Sequence, residues 1–264
     1  MNCIFIGLII LLNLIIIKSS ININRHSSFL PNSYKVKGHN NKDKKFDVRQ
    51  VPGDGGCLFH AIAVVLRYEQ SGLHTDFDSA MKNMSHCLRK LSVDTLMEDK
   101  VLIMEGNENT TTTGLLETVA EHYNMTAEKY CDNMRLHGTW GGGPEIVALS
   151  NFLKRPIHVY ELCTTGYFSK CFELKVCAKF GTPSFDDENK LPISILCADG
   201  RFPNILPGAQ KMIGDHFLAL FNCEIDSSKN QKKKSLRGKT FQRLLSNGGS
   251  NSNSNGNSNE FTQR

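Results

Sequence analysis

Residues 53–65 read Gly-Asp-Gly-Gly-Cys-Leu-Phe-His-Ala-Ile-Ala-Val-Val. Three glycines in four positions must turn. Immediately after them Leu58, Ala61, Ile62 and Val65 recur at i, i+3, i+4 and i+7, the period of a buried helix face. The spacing therefore puts Cys57 at the mouth of the first core helix. Unpaired N–H groups and the helix dipole favour negative charge there, so a thiol at that place is expected to have a lowered pKa and a large thiolate fraction. The glycines ahead of it let bare backbone approach a substrate carbonyl, and their N–H groups could form an oxyanion hole.

Outward from this stretch, residues 46–52 are a short approach segment. A second helix is predicted over 76–91, with Phe77, Ala80, Met81, Met84 and Leu88 on its inner face. Shorter helices follow over 115–123 and 127–134, and the polar run 107–113 reads as a loop. Gly141-Gly142-Gly143-Pro144 breaks the pattern and opens another helix carrying Ile146, Leu149 and Leu153, which Pro156 stops. Strands are predicted over 157–160, 171–176, 193–197 and 216–221, with a long loop over 199–215. Helices come first and strands later, which indicates an α+β domain with a small mixed or antiparallel sheet rather than a doubly wound fold.

A thiolate nucleophile needs a proton carrier, usually histidine. Of nine histidines, His216 is the best placed, at the junction of the long loop and a buried strand. His60 faces away from the apolar stripe, His137 lies in a turn, and His26 and His39 precede the folded segment. The bland alternatives are a small buried cysteine and a structural histidine. No CxxC pair occurs, and Cys163, Cys171 and Cys177 are too widely spaced for a zinc knuckle. Most of the cysteines are expected to be small buried hydrophobes.

Four blocks carry a resemblance: Asp54-Gly55-Gly56-Cys57-Leu58-Phe59, Trp140-Gly-Gly-Gly-Pro-Glu-Ile-Val-Ala-Leu-Ser150, Ile157-His158-Val159-Tyr160 and Gly214-Asp215-His216-Phe217. Together, in this order, they resemble the ovarian-tumour (OTU) family of cysteine proteases. The resemblance implies a papain-like α+β fold and an isopeptidase that removes ubiquitin or a ubiquitin-like protein. It maps the nucleophile onto Cys57, the general base onto His216 and an acidic partner onto Asp54, and it implies no metal and no organic cofactor. Many members carry Asn or Ser where this chain has Gly56, Tyr at Phe217, and Asp or Asn at Leu218. The residue that orients the imidazole is therefore open between Asp54, Asp215 and Asn222. Gly141–Gly143 beside Trp140 reads either as a wall for a Gly-Gly tail or as a loop shaped to start a helix. An inactive OTU-like ubiquitin-binding module and a peptidase acting on ordinary peptides are the rival functions.

The 264 residues carry a formal charge of +5, unevenly placed. Residues 18–45 hold +6 and residues 229–264 hold +7, which leaves 46–228 at −8. An acidic core argues against nucleic acid, whose phosphates need clustered Lys and Arg, and suits a partner with a basic face such as ubiquitin. Residues 4–17 are apolar except Gly7 and Asn13, too short for a comfortable span and suited to a signal peptide over 1–20. The basic, Ser- and Asn-rich segment 21–45 resembles a transit peptide, and the two together resemble the bipartite leader of the relict plastid of apicomplexan parasites. The alternatives are an uncleaved anchor, a disordered linker, and an endomembrane or secreted protein. The catalytic domain is expected over 46–225, as a monomer. Residues 226–264, basic and then Asn/Ser/Gly-rich, are expected to be a disordered tail. Plastid delivery would make a membrane-associated, lipid-conjugated modifier a candidate substrate.

Overall fold

The computed structural model describes residues 34–38, 45–164, 172–203 and 214–222. The signal-like segment, most of the transit-like segment, the middle of the 199–215 loop and the C-terminal tail lie outside the described residues.

In chain order the elements are β1 (Tyr34–Gly38), β2 (Lys45–Arg49), α1 (Cys57–Ser71), α2 (Ser79–Met97), β3 (Val101–Ile103), β4 (Asn109–Thr111), α3 (Thr112–Tyr123), α4 (Ala127–Arg135), α5 (Gly143–Leu153), β5 (Ile157–Thr164), β6 (Phe172–Phe180), β7 (Ile193–Ala198) and β8 (His216–Asn222). The fold is α+β. Six strands close in the order β1-β2-β8-β7-β5-β6, and β3 and β4 form a separate hairpin. The main sheet is mixed: β1/β6 and β5/β7 pair parallel, the other neighbours antiparallel.

Two corrections follow for the N-terminal half. Residues 34–38, counted with a disordered leader on composition, form β1 and pair with β2 and β6. Backbone pairing does not depend on side-chain polarity, so a basic strand can complete a sheet that composition alone would not give it. The run 107–113, expected as a loop, contains β4 and the start of α3; Gly106 and Asn107, both with φ near +65°, turn the chain back from β3. The side-chain amide of Asn151 then clasps that hairpin, accepting from the Ile103 N–H and donating to its carbonyl.

The helices begin where capping chemistry allows. Asp78, Thr111 and Thr126 each accept a backbone N–H from the first turn of α2, α3 and α4. In α5 the Glu145 carboxylate reaches back to the Gly142 N–H at 2.7 Å. α2 runs six residues past its expected end, because Ser92, Val93 and Leu96 continue its buried stripe and no breaker intervenes. α1 differs from the rest: Gly56 at its N-cap offers no side chain, and α1 is buried on all sides from Cys57 to Val65.

β8 separates two cores by its period of two. Leu218 and Leu220 pack inside the barrel with Phe46, Val48, Leu174 and Leu196. Phe217, Ala219 and Phe221 face the helices and pack in one core with Leu58, Ile62 and Val65 of α1. The head of α1 and the head of β8 thereby come to the same edge of the molecule.

Candidate active site

Cys57 opens α1 and is nearly buried, at 6% exposure. The backbone N–H groups of Phe217 and Leu58 are turned to the sulfur and favour its anion. The first of these brings the start of β8, where His216 stands, up to the head of α1. The imidazole lies over Gly53, where an added Cβ would sit 3.7 Å from Cε1 and 3.9 Å from Nδ1. A side chain there would only make ordinary contact with the ring, so this glycine is not required by the histidine. Sequence reasoning placed Cys57 and His216 at the heads of two elements, and the structure brings those heads together.

The expected lowering of the thiol pKa is not met in this state. Burial pushes the Cys57 thiol up to about 11, and the charges of Asp54 and Asp215 add to this. The two N–H groups on the sulfur oppose the rise without reversing it. A dry thiol loses more from desolvating its anion than a helix terminus returns.

The acidic candidates fall in different places. Asp54 Oδ1 accepts from the Gly56 N–H at 2.9 Å and meets His60 Nε2 at 2.9 Å. Partial burial works against its charge, but the His60 and Gly56 hydrogen bonds outweigh it and hold the carboxyl at about 2. Asp54's hydrogen-bond partners are therefore its own loop and His60. Asp215 accepts from the Gly200 N–H, and burial raises its pKa. Asn222 closes the far end of β8 opposite Phe46, roughly 20 Å along the strand from His216. Leu218, where the family often has Asp or Asn, is fully buried in the barrel.

His60 is the residue that helical periodicity misassigned. It is 2% exposed and sits 2.7 Å from Ser85 Oγ through Nδ1. Its ring packs edge-on against Phe77 at 4.8 Å. A helix side chain leans towards the N-terminus of its own helix, so a histidine one turn after Cys57 can reach back to the preceding loop. That direction was the available signal.

Arg89 and Glu145 complete the surroundings, and neither was singled out from sequence. Arg89, 4% exposed, donates to the carbonyls of Gly55 (3.2 Å) and Met134 (3.0 Å), with its guanidinium 4.4 Å from the Phe59 ring centre. Glu145, fully buried, accepts from Tyr130 Oη at 2.6 Å as well as from Gly142, and burial raises its pKa. Arg89 thus holds the 54–56 loop while Glu145 holds the glycine loop facing it. The two loops touch: Gly55 has φ +87°, and a Cβ there would lie 2.1 Å from the Gly138 carbonyl oxygen. At Gly141 a side chain would strike Leu58 and Phe59, which gives that glycine a packing reason. Trp140 beside it is 39% exposed.

A family described as OTU-like cysteine protease matches residues 52–187. The chain belongs to this family. The OTU match spans the 53–56 loop, the five described helices and the first two long strands, and ends before His216. The chain is 31% identical over 111 residues to ubiquitin thioesterase otu2 of Schizosaccharomyces pombe, covering 42% of this chain and 31% of that protein. It is 29% identical over 119 residues to deubiquitinase OTUD6B of Xenopus laevis, covering 45% and 35%. The chain thus spans about a third of the length of these curated relatives. Among solved structures it is similar to the OTUD1 OTU domain (15% identity, TM-score 0.40, 67% of this chain and 85% of that one). It is also similar to the Hazara virus OTU bound to ubiquitin (20% identity, TM-score 0.39, 68% and 82%).

Among the described residues no three His, Cys, Asp or Glu side chains are grouped to hold a metal. The six described cysteines are unbridged; only Cys57 and Cys131 are buried, so Cys87 and Cys177 at the surface depart from the expected buried role.

Proposed function

We propose that this chain is a thiol-dependent isopeptidase that cleaves the amide after the C-terminal glycine of ubiquitin or a ubiquitin-like modifier. The observation that carries the reading is the meeting of two element heads, Cys57 at the start of α1 and His216 at the start of β8, with Cys57 and Phe217 packed in one core. The family and the names of its relatives, a ubiquitin thioesterase and a deubiquitinase, support the substrate class.

In the reaction the Cys57 proton passes to the His216 imidazole and the sulfur attacks the glycine carbonyl carbon. The oxyanion that forms is held by backbone N–H groups. Gly56 N–H is committed to Asp54, so those of Gly55 and Cys57 supply the hole. The C–N bond breaks as His216 returns the proton to the leaving amine, and water then hydrolyses the thioester to a carboxylate and the free thiol. The raised thiol pKa means that proton transfer and attack are coupled to substrate arrival.

Ubiquitin and ubiquitin-like proteins ending in propargylamide test this. Covalent capture at Cys57, located by mass spectrometry and lost in Cys57→Ala, is the expected result. Reversible binding without capture would make the chain a binding module, and turnover of unmodified peptide with no Gly-Gly preference would make it a general peptidase. Under the same proposal the modifier is a plastid-associated one, including one conjugated to a membrane lipid. The apolar run at 4–17 and the acid-free, Ser- and Asn-rich stretch that follows it up to residue 33 support this. A fluorescent protein fused after residue 50 should label the plastid; export to the medium would remove that part.

A further inference from the structure

We propose that His60 and Ser85 are positioning residues that set the oxyanion loop through Asp54, and that position 56 is glycine because the His60 ring fills its side-chain space. This rests on the isopeptidase reading and adds residues to that same site.

The geometry is a chain of three contacts: Ser85 Oγ to His60 Nδ1 at 2.7 Å, His60 Nε2 to Asp54 Oδ1 at 2.9 Å, and Gly56 N to the same oxygen at 2.9 Å. An ionised carboxylate only accepts, so Nε2 donates to it and Nδ1 is left to Ser85. His60 and Ser85 are both 2% exposed, whereas the Asp54 side chain is 55% exposed, so the chain of contacts runs from a buried histidine–serine pair out to a carboxylate at the surface. Four residues after Ser85, on the same face of α2, Arg89 donates to the Gly55 carbonyl.

The peptide between Gly55 and Gly56 is therefore held at both ends, its C=O by Arg89 and its N–H through Asp54. In a planar trans peptide these two groups point in opposite directions, and fixing both fixes the plane. The flanking N–H groups of Gly55 and Cys57 are then aimed without any adjustment during the reaction, which is what an oxyanion hole requires. A Cβ at position 56 would stand 2.8 Å from His60 Nε2 and 3.1 Å from Asp54 Oδ1. A side chain at position 56, such as the Asn or Ser common in the family, would require the His60 ring to shift.

This device touches neither the sulfur nor the imidazole of His216, so its loss should be separable from loss of nucleophilicity. With the full chain and a fluorogenic ubiquitin C-terminal amide, His60→Leu should lower kcat about 100-fold with KM little changed, and Ser85→Ala about 10-fold. His60→Gln, whose amide can still donate to Asp54, should stay within about threefold of the parent. The iodoacetamide alkylation rate of Cys57 and its pH profile should be unchanged in all three variants, and thermal melting would identify any that fail to fold. Wild-type kcat in His60→Leu, no rescue by Gln, or an alkylation profile that shifts along with kcat would each overturn the proposal. A parent chain inert to every ubiquitin-like substrate defeats the isopeptidase reading instead. The positioning claim is then decided by amide hydrogen exchange. Faster exchange confined to residues 53–58 in His60→Leu upholds it, and unchanged exchange rejects it.

Discussion

At Gly56 the absence of one carbon decides which other residues the site can use. Because His60 occupies the space a side chain would need, Gly56→Ser alone should inactivate by displacing the ring. Adding His60→Ala should then cost little more, a non-additivity that a double-mutant cycle on kcat reads directly. Asp54 gives a pH signature of its own. Its carboxyl is held at about 2, below the 3.8 of a free aspartate. Its contribution to stability is complete above 3.8 and is lost as pH falls through about 2. Urea midpoints of the parent and Asp54→Asn should therefore differ by a constant amount near neutrality, and the gap should close in strong acid. Cys57 works in the opposite sense. With its thiol raised to about 11, the free protein should lose iodoacetamide-reactive thiol at exposed Cys87 well before Cys57 near neutral pH, as peptide mapping would show.

The helices do different jobs, and their ends show it. α2 has a side-chain cap, and Asp78→Ala should cost about 1 kcal/mol in urea unfolding without altering kcat. α1 has none, which leaves backbone donors at its head for substrate. Its tail is anchored instead: Glu69 receives both terminal nitrogens of Arg155 at 2.6 Å, and Arg155 is 7% exposed. Glu69→Ala leaves the two terminal nitrogens of that buried guanidinium without their acceptor, only Nε keeping its bond to the Leu191 carbonyl, and should destabilise by about 2 kcal/mol, again with the active-site kinetics preserved. α5 carries the one fully buried carboxylate among the described residues. Its position was legible from the Gly-Gly-Gly-Pro-Glu run, but its role was not. The partner Tyr130 sits on α4, and helix periodicity says nothing about which helices will face each other.

For the folded domain as a unit, closure of the sheet is the organising fact. β1 joins β2 on one side and β6 on the other, so it removes two open edges from a six-stranded sheet. A chain beginning at residue 45 should melt several degrees lower than one beginning at residue 34 and should aggregate more readily. Equal melting curves would show that β1 adds nothing to the barrel. Closure also sets the site, since β2 and β7 hold β8 on both sides and fix the height at which Phe217 meets α1.

The chain's local order already contained Cys57 at a helix head, His216 at a strand head, the α+β class, the five described helices and the four long strands, though not β1 to β4. These follow from period, breakers and caps, which act between neighbours. Asp54's partner, the barrel and the protonated thiol could not be read that way. Ser85 meets His60 across 25 positions and between two helices, β1 is recruited by edges that exist only once the other strands have paired, and a thiol's pKa follows how much water packing removes from it. Those are properties of which surfaces meet, and the linear pattern does not encode that until the chain has closed on itself.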